Sequence, residues 1–413
     1  MDTPWWARPG LEVRDGRLLV AGRDAEALAR EHGTPVFVYD LVRIEDQARS
    51  LVGAFESAGV PFRLRLAVKA QREPEVLAFV RSLGFVGIDA CSPREVRLAL
   101  DHGWTAEEIS FTGTNLSDRD LEAILPTGVH INVDLLSQLD RYGRRAPGST
   151  VGIRVNPRAG AASRPGLAGL YTGGHRPSKF GVLQEQLDDA LEIARTHNLT
   201  IDTVHLHVGR GVLTDALPAF EMAVERAVPM AERLVAAGHP ISEVNVGGGL
   251  GVPYDTGQKP LDVHAYADVL RRHLGPLGVT VACEPGDFLT KDMGVLLAEV
   301  VSVDDRDGYR FVGVDAGFNV APEHFIYEEP VPIVLSRAVD GSRGRPVTVA
   351  GNINEGDDLW GEDVALPEPH EGDVLALLRM GSYNRSMHID HCLRPAAGTV
   401  AFAQRSAERP LSG

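Results

Sequence analysis

The sequence predicts an α/β protein that combines a closed (β/α)8 barrel of the TIM type with a second, all-β unit. From residue 35 to about residue 290, short β-branched runs alternate with amphipathic segments, which is typical of βα units around a parallel sheet. Eight runs follow the first helix, and eight strands with crossover helices over about 250 residues favour a barrel. A doubly wound open sheet is the alternative. Beyond residue 290, strands follow one another directly between Gly, Pro and Asp turns, which indicates a β-sandwich or β-barrel domain.

Three regions therefore divide the chain. Residues 1–34 contain a predicted hairpin around Asp15-Gly16 and are expected to pair with the β domain. Residues 35–290 form the barrel and residues 291–413 the C-terminal β domain. The predicted barrel strands are RLRLAVK (63–69), VGIDA (86–90), ISFTG (109–113), HINVD (130–134), TVGIRVN (150–156), TVHLHVG (203–209), EVNVGGG (243–249) and TVACEP (280–285). The predicted β-domain strands are LLAEVVSV, YRFVGVDA, VPIVLSRA, PVTVAGNIN, DVLALLRMG and GTVAFAQ.

One helix start is especially clear. Ser92 is a good N-cap, Pro93 suits the first turn, and Glu95 is placed to reach back to the cap. A helix is therefore predicted directly after the second barrel strand.

The composition excludes several classes of function. A formal charge of −16 opposes the clustered Lys and Arg that nucleic-acid phosphates require. Cys91, Cys283 and Cys392 form neither a disulfide framework nor a zinc-binding spacing, so no metal is expected. The N-terminus lacks the features of a signal peptide, and no run of about 18 apolar residues occurs. We therefore expect a cytoplasmic protein with neither a nucleic-acid nor a membrane partner.

Lysine is rare in this chain, and one lysine stands at a strand end. Of 41 basic residues only four are lysine, at positions 69, 179, 259 and 291. Arginine stays charged, whereas a desolvated lysine can act as an amine nucleophile. At the end of RLRLAV, desolvation is expected to lower the pKa of Lys69 and suit it to form a Schiff base. The alternative is a lysine that merely extends its ammonium into solvent at the barrel mouth.

Other strand ends also carry reactive groups. Active sites of (β/α)8 barrels lie at the C-terminal ends of the strands, so the last residues of each run are candidates. These are Lys69, Asp89, Thr112–Gly113, Asp134, Arg154, Asn156, His207, Gly247–Gly249 and Glu284. The glycines allow backbone N–H groups to approach a phosphate, although a tight turn also explains them. Glu284 can pair with a protonated ring nitrogen and His207 can stack on a ring, and their convergence favours function over a structural role.

Seven short motifs resemble those of the fold type III pyridoxal-phosphate (PLP)-dependent decarboxylases, the family that includes diaminopimelate and ornithine decarboxylases. The motifs are Ala67-Val68-Lys69-Ala70, Ser178-Lys179-Phe180-Gly181, His205-Leu206-His207-Val208-Gly209, Gly247-Gly248-Gly249, Glu284-Pro285-Gly286, Val314-Asp315-Ala316-Gly317 and Gly381-Ser382-Tyr383. The resemblance covers nearly the whole chain, and the order of the motifs makes it specific. It implies an alanine racemase-like fold with a PLP-binding barrel, and a homodimer whose active sites lie between subunits.

The resemblance also implies roles for single residues. Lys69 is the expected Schiff-base lysine, His207 the residue that stacks on the ring, and Glu284 the partner of the pyridine nitrogen. Gly247–Gly249 and Tyr383 are expected to hold the phosphate. The remaining residues predicted to contact the cofactor are Asp89, Arg210, Gly286 and Asp287.

Two departures from the family concern the substrate. The arginine of the family's Glu-Pro-Gly-Arg is Asp287 here, and Ala321 stands where diaminopimelate enzymes have the arginine of Arg-Pro-x-x-Tyr. Without these arginines a buried distal carboxylate is left unpaired, which is costly, so meso-diaminopimelate is not the expected substrate. Arg210 replaces the usual serine and is expected to restore positive charge near the phosphate.

A third departure concerns the proton donor. The cysteine that the decarboxylases contribute across the dimer interface, and that helps to protonate the carbanion, is Asn354 here. Asn354 has no ionisable proton, whereas the adjacent Glu355 is retained. His388 and Cys392 are alternative donors, and ordinary loop residues are the competing interpretation. The residues expected to contact the substrate are Asp287, His324, Glu355 and Tyr383.

The predicted function is decarboxylation of an amino acid with an amine- or hydroxyl-bearing side chain. The substrate amine displaces Lys69 from the cofactor as an external aldimine, and loss of CO2 leaves a quinonoid carbanion. The alternatives are a racemase or epimerase, which the carboxylate of Glu284 disfavours, and decarboxylation with protonation misdirected to the cofactor, which is an oxidative deamination or transamination. A non-catalytic PLP-binding homologue is a further alternative, disfavoured by the intact cofactor residues.

Overall fold

The computed structural model describes residues 4–164, 166–173 and 177–405. Within these ranges the strands are β1 (Leu11–Arg14), β2 (Arg17–Val20), β3 (Arg23–Asp24), β4 (Val36–Asp40), β5 (Phe62–Ala67), β6 (Val86–Ala90), β7 (Ile109–Thr112), β8 (His130–Val133), β9 (Thr150–Asn156), β10 (Val182–Leu183), β11 (Thr200–His205), β12 (Glu243–Asn245), β13 (Thr280–Cys283), β14 (Gly294–Arg306), β15 (Tyr309–Val314), β16 (Ile333–Leu335), β17 (Val347–Ala350), β18 (Leu359–Val364), β19 (Val374–Leu378) and β20 (Gly398–Phe402). The helices are α1 (Ala25–His32), α2 (Val42–Ala58), α3 (Pro74–Leu83), α4 (Pro93–Asp101), α5 (Asp118–Ile124), α6 (Leu136–Arg145), α7 (Leu187–Thr196), α8 (Leu217–Ala236), α9 (Val263–Leu274), α10 (Asp287–Thr290) and α11 (Glu323–Tyr327).

Eight parallel strands close into a barrel in the order β5, β6, β7, β8, β9, β11, β12, β13. Closure is direct, because β13 pairs in parallel with β5, with Val281 opposite Phe62. The eight strands correspond to the eight predicted runs, so the barrel is confirmed and the open-sheet alternative is wrong. Strands β11 and β12 end at His205 and Asn245, before the predicted ends at residues 209 and 249. The residues beyond these ends leave the sheet and become available to the site.

A second sheet, in the order β16-β19-β14-β15-β17-β18, forms the β domain. Strand β4 joins this sheet, antiparallel to β14 and parallel to β20. It therefore pairs with the β domain although it lies within the region predicted for the barrel. Strand β18 was not predicted, because its sequence LWGEDV carries glycine and two acidic residues and lacks a β-branched run. It pairs with β17 at the edge of the sheet.

The N-terminal hairpin forms as expected. Strands β1 and β2 are antiparallel, and Asp15 and Gly16 between them have positive φ angles of 49° and 75°, as a tight hairpin turn requires. Leu18 N–H donates to the carbonyl of Ser336, and Val339 N–H donates to that of Gly16. The N-terminal segment therefore contacts the β domain through backbone hydrogen bonds.

Helix α4 begins as predicted, with one difference in its cap. The Ser92 hydroxyl accepts a hydrogen bond from Glu95 N–H at 3.3 Å. The Glu95 carboxylate reaches back one residue further than a capping box requires and accepts from Cys91 N–H at 2.7 Å. The backbone of Cys91 is therefore fixed between the end of β6 and the start of α4.

None of the helices in the described ranges has the length and apolar character needed to cross a bilayer. The same ranges contain no group of three or more His, Cys, Asp or Glu side chains arranged to hold a metal ion. The described part of the chain therefore offers neither a spanning helix nor a metal cluster.

Candidate active site

A cavity of about 340 Å³ opens at the C-terminal ends of the barrel strands. The β domain contributes Tyr327 and Tyr383 to its wall. The predicted site residues that line it are Lys69, Asp89, Thr112, Arg154, His207, Arg210, Gly248, Gly249, Glu284, Gly286, Asp287 and Tyr383. Strand ends distant in sequence therefore converge on one space, as (β/α)8 architecture dictates.

Lys69 extends its ammonium into this cavity. Its Nζ lies 3.5 Å from Asp89 Oδ2 and 3.5 Å from Cys91 Sγ, and its side chain is 46% exposed. The nearby Cys91 and, after the opposing effect of burial, the Asp89 carboxylate raise the pKa of Lys69 well above its usual value. The expected lowering of this pKa by desolvation is therefore wrong, because Cys91 and Asp89 beside the ammonium together outweigh burial. The amine is charged in the free chain.

Glu284 is held as a carboxylate at the end of β13. His205 Nε2 lies 3.2 Å from Oε2, and the Asn245 amide donates to Oε1. Burial alone would raise the pKa of Glu284, but His205, Arg65 and Asn245 outweigh it and lower the pKa to about 2. The group stays ionised across the physiological range, so it can keep a proton on a neighbouring ring nitrogen.

His207 presents a neutral ring to the cavity. Burial, and then the charges of Arg154 and Lys69, lower its pKa well below the usual value. Its Nδ1 accepts a hydrogen bond from Gly248 N–H at 3.2 Å, and Tyr171 packs edge-on against its ring at 4.3 Å between centroids. The imidazole plane is thus fixed, as a stacking residue requires.

The glycine-rich loop follows β12 in close contact with other backbone. Gly249 has a φ of 88°, and a Cβ atom there would lie 2.2 Å from the carbonyl oxygen of Gly209. A Cβ on Gly248 would lie 2.4 Å from the carbonyl oxygen of Glu284. Only glycine allows this approach, which leaves a narrow cradle of backbone at the cavity wall.

Tyr383 belongs to the β domain and lies at the mouth of the barrel. Its φ is 55°, and its N–H donates to the carbonyl of Ala70 at 2.7 Å. A Cβ on Gly286 would lie 2.9 Å from its hydroxyl oxygen, so Gly286 leaves room for the phenol. The phenol therefore lies in the same cavity as Lys69. The hydrogen bond from Tyr383 N–H is accepted by Ala70, the residue that directly follows Lys69.

A buried network of charges forms one side of the cavity. Arg210 Nη2 donates to Glu323 at 2.7 Å, and its guanidinium lies 3.9 Å from the centre of the Tyr327 ring. The fully buried Lys291 pairs with the same Glu323 and lies 3.4 Å from Asp287. Burial raises the pKa of Glu323 to about 7, although Lys291 and Arg210 act to lower it. The network joins the barrel to the β domain.

Asp287 is an anchored acid within this network. The Ser382 hydroxyl donates to its Oδ1 at 2.5 Å. With Lys291 as its second partner, the carboxylate is held in one orientation at the cavity wall. Serine and lysine thus position an acidic group where the sequence resemblance leads one to expect a basic group.

The loop after β9 is positioned by two further strand-end residues. Asp134 Oδ1 accepts from Gly181 N–H at 2.8 Å, and the Asn156 amide donates to the carbonyl of Phe180 at 2.8 Å. The Arg154 guanidinium lies 4.3 Å from the centre of the Phe180 ring. These contacts place Phe180 in the cavity wall.

Several predicted residues lie elsewhere in the chain. Asn354 and Glu355 are exposed, and Glu355 pairs with His391 Nε2 at 2.9 Å. His324 directs Nε2 to the carbonyl of Leu359 at 3.0 Å and Nδ1 to that of Glu329. The predicted residues outside the cavity lining are Gly113, Asp134, Asn156, Gly247, His324, Asn354, Glu355, His388 and Cys392.

Sequence reasoning missed part of the cavity wall. Cys91 stands two residues beyond Asp89, so strand-end reading could have found it, but its thiol was considered only for disulfide or metal chemistry. Tyr171 and Tyr327 lie in a loop and a short helix that no strand pattern marks. His205, the partner of Glu284, was noticed only as part of a motif.

The residues fit PLP. An amine stands at one end of the cavity, a permanently ionised carboxylate and a neutral imidazole lie on its walls, and a glycine cradle that Cβ atoms would fill borders it. One oxygen of the buried Asp89 carboxylate has no partner among the described residues. These are the groups that an aromatic aldehyde with a ring nitrogen and a phosphate needs.

Comparison with known proteins places these features in context. The model of the pyridoxal-binding domain of pyridoxal-dependent decarboxylases matches residues 41–291. The diaminopimelate decarboxylase of Methanothermobacter thermautotrophicus is 36% identical over 403 residues, covering 95% of this chain and 92% of that protein. That of Aquifex aeolicus is 30% identical over 410 residues, covering 97% and 94%. The structure of diaminopimelate decarboxylase from M. jannaschii with L-lysine superimposes with a TM-score of 0.86 at 26% identity, covering 95% and 92%. These likenesses confirm the predicted fold.

Proposed function

The chain belongs to the pyridoxal-dependent decarboxylase family, and we propose that it decarboxylates an amino acid whose side chain ends in an amine or a hydroxyl group, rather than meso-diaminopimelate. The predicted family, the PLP cofactor and the assignment as a carboxy-lyase are confirmed by the family match and the relatives. The relatives named above are diaminopimelate decarboxylases. The choice of substrate is therefore the part that the proposal adds.

The cavity residues have distinct proposed tasks. Bound PLP supplies an aldehyde that takes up the substrate amine and a ring that accepts the electron pair as CO2 leaves. Lys69 holds the aldehyde carbon between turnovers, and Glu284 keeps the proton on the ring nitrogen. His207 covers one ring face, while Gly247–Gly249 and Tyr383 hold the phosphate. The fixed imidazole and the glycine cradle described above support these assignments.

The observation that carries the substrate proposal is the charge balance of the cavity. Within the described ranges, each Lys or Arg that lines it has a carboxylate partner, whereas Asp287 adds an acid at the wall. The cation–carboxylate pairs are Lys69–Asp89 at 3.5 Å, Arg154–Asp134 at 3.6 Å and Arg210–Glu323 at 2.7 Å. A distal carboxylate would have to displace one of these partners, whereas an amine or hydroxyl can bind the Asp287 carboxylate alongside its present partners, Ser382 and Lys291.

Arg210 remains a proposed contact of the phosphate. Its Nη2 is bonded to Glu323 and its Nε lies 3.5 Å from Glu329, so a phosphate contact would fall to its remaining Nη1 group. We expect Arg210→Ala to lower the affinity for PLP, measured by titrating the apoenzyme. Unchanged PLP retention in this variant would remove Arg210 from the proposed contacts.

We propose a homodimer with shared active sites. An apolar patch is exposed on the β-domain side, formed by Phe325 (43% exposed), Ile326 (53%), Ile389 (38%) and Leu393 (82%). The patch adjoins Glu355, because His391 pairs with Glu355 and stacks near Phe318, which in turn stacks on Phe325. Exposed apolar surface of this kind marks protein interfaces. Asn354 and Glu355 would then meet the partner's cavity.

The substrate proposal is tested by incubating the holoenzyme with a panel of amino acids. The panel contains L-lysine, L-ornithine, hydroxylated amino acids and meso-diaminopimelate, and CO2 release and the organic product are both measured. We expect the highest kcat/KM with an amine- or hydroxyl-bearing substrate. A preference for meso-diaminopimelate would reject the substrate proposal and leave the decarboxylase assignment intact. Deuterium exchange at Cα without CO2 release would favour a racemase instead.

A further inference from the structure

We propose that the thiol of Cys91 is the acid that places a proton on Cα of the substrate as the carboxylate leaves, an inference that rests on the decarboxylase function proposed above. Decarboxylation replaces a carboxylate by a proton, so an acid must stand beside Cα. Asn354 stands where the sequence resemblance leads one to expect a thiol, and its amide has no proton to give at neutral pH. The chain therefore needs another donor.

The geometry places Cys91 beside the reacting atoms. Its Sγ lies 3.5 Å from Lys69 Nζ, the atom that holds the cofactor aldehyde carbon, and both residues line the cavity. The substrate amine takes the place of Nζ on that carbon, and Cα is one bond further on. A group within van der Waals contact of Nζ is therefore within reach of Cα.

The main chain holds the thiol in this place. The Glu95 carboxylate accepts from Cys91 N–H at 2.7 Å, and Ser92 caps helix α4 directly after it. Strand β6 ends at Ala90, so the residue is fixed from both sides. Such fixation is what a proton donor needs, since misplacement by an ångström costs a large factor in rate.

The charge state of the surroundings suits a donor. Burial raises the pKa of Cys91 to about 12, so the group carries its proton at neutral pH. The adjacent Lys69 ammonium stabilises the thiolate that forms when the proton leaves. The buried Asp89 carboxylate, one of whose oxygens is unpartnered among the described residues, also borders this part of the cavity.

The protons balance through Lys69. When the substrate ammonium is captured, its proton passes to Lys69 as that amine is released. The bond from Cα to the carboxylate then breaks and CO2 leaves. The electron pair of that bond stays on the substrate and forms a new bond to the proton of the Cys91 thiol. The Cys91 thiolate takes a proton back from the Lys69 ammonium. The neutral amine thus formed recaptures the cofactor carbon and releases the product.

The other two cysteines do not meet these conditions. Cys283 is fully buried within strand β13, and Cys392 is exposed and lies outside the cavity lining. Cys392 is the competing thiol, because the adjacent Leu393 belongs to the exposed apolar patch of the proposed interface, and Cys392→Ala therefore tests whether that thiol supplies the proton instead.

The test compares Cys91→Ala and Cys91→Ser with Cys392→Ala in single turnovers with the best substrate of the panel. In Cys91→Ala we expect CO2 release to persist while amine formation falls about 100-fold. The cofactor should then collect in its amine form, visible in the absorbance spectrum, together with a carbonyl product. Cys91→Ser should show a weaker effect of the same kind, and Cys392→Ala none. Amine formation within about threefold of the parent in Cys91→Ala, with a parental spectrum, would overturn the proposal.

A second measurement does not depend on turnover. Iodoacetamide labelling of Cys91, followed by mass spectrometry of the peptide, should be slow in the holoenzyme and faster in the apoenzyme, while Cys392 labels equally in both. Equal labelling of Cys91 with and without PLP would contradict its place beside the cofactor. Melting temperature and PLP stoichiometry of Cys91→Ser report on folding.

The two proposals fail in different ways. If the parent enzyme releases no CO2 from any amino acid, the proposed function is rejected. Deuterium exchange at Cα of bound L-lysine then still reports on protonation. Exchange that is lost in Cys91→Ala and kept in Cys392→Ala would support the donor role on its own, and exchange kept in both would reject it.

Discussion

Replacing Gly249 by alanine tests the proposed phosphate cradle. The new Cβ atom would lie 2.2 Å from the carbonyl oxygen of Gly209, whereas Cβ atoms essentially never come closer than 3.0 Å to another heavy atom. The loop must therefore retreat by the difference, 3.0 − 2.2 = 0.8 Å. A shift of this size breaks a hydrogen bond from the loop to a phosphate. Such a bond to a charged group contributes about 1.5–3 kcal/mol, so the Kd for PLP should rise about 10- to 100-fold.

The matched control is Gly238→Ala. Gly238 has a similar φ of 92°, but a Cβ atom there would meet nothing within 4 Å. Both variants incur the cost of a left-handed backbone, about 1–2 kcal/mol, and both should lower the melting temperature. Only Gly249→Ala should weaken PLP binding, measured by titration of apoenzyme and by the increase in melting temperature at saturating PLP. Parental PLP affinity in Gly249→Ala, or an equal loss in Gly238→Ala, would refute the cradle.

Three further predictions concern the partner of the ring nitrogen, the buried Asp89 and the proposed dimer interface. Glu284→Gln should retain PLP but lower kcat at least about 100-fold, because the ring nitrogen loses the ionised partner, and equal kcat would contradict this role. Burial, and next the charge of Glu284, raise the pKa of Asp89 to about 7, so its carboxylate is lost as the pH falls through 7. The pH profile of kcat/KM should therefore show an acid limb near pH 7 that Asp89→Asn abolishes. Leu393→Asp should yield monomers in size-exclusion chromatography, whereas Val235→Asp, at another exposed apolar side chain, should not.

Strand ends were predictable because the alternation of buried runs and helices determines where each barrel strand stops. Lys69, Asp89 and Glu284 were found in this way, and the structure places all three at one cavity. Each of these three residues was identified from a local sequence pattern of fewer than ten residues. The barrel then brings such positions together without further information.

The buried charge network could not be predicted in the same way. Arg210 and Glu323 are separated by 113 residues, and no local pattern links an arginine after a barrel strand to a glutamate in a short helix of another domain. The pKa of Lys69 was mispredicted for a related reason. Desolvation follows from a strand-end position, but the proximity of Cys91 and Asp89 to the Lys69 ammonium follows only from the packed barrel.

Strand β4 has a consequence for how the chain assembles. It is made early, yet its neighbours β14 and β20 begin at residues 294 and 398. During synthesis β4 therefore waits as an unpaired strand while the entire barrel emerges from the ribosome, a state prone to aggregation. Tyr383 emerges later still, so a nascent barrel with Lys69 in place has an incomplete cofactor pocket. If Tyr383 holds the phosphate as proposed, the nascent enzyme can retain its cofactor only after this residue has reached the barrel mouth.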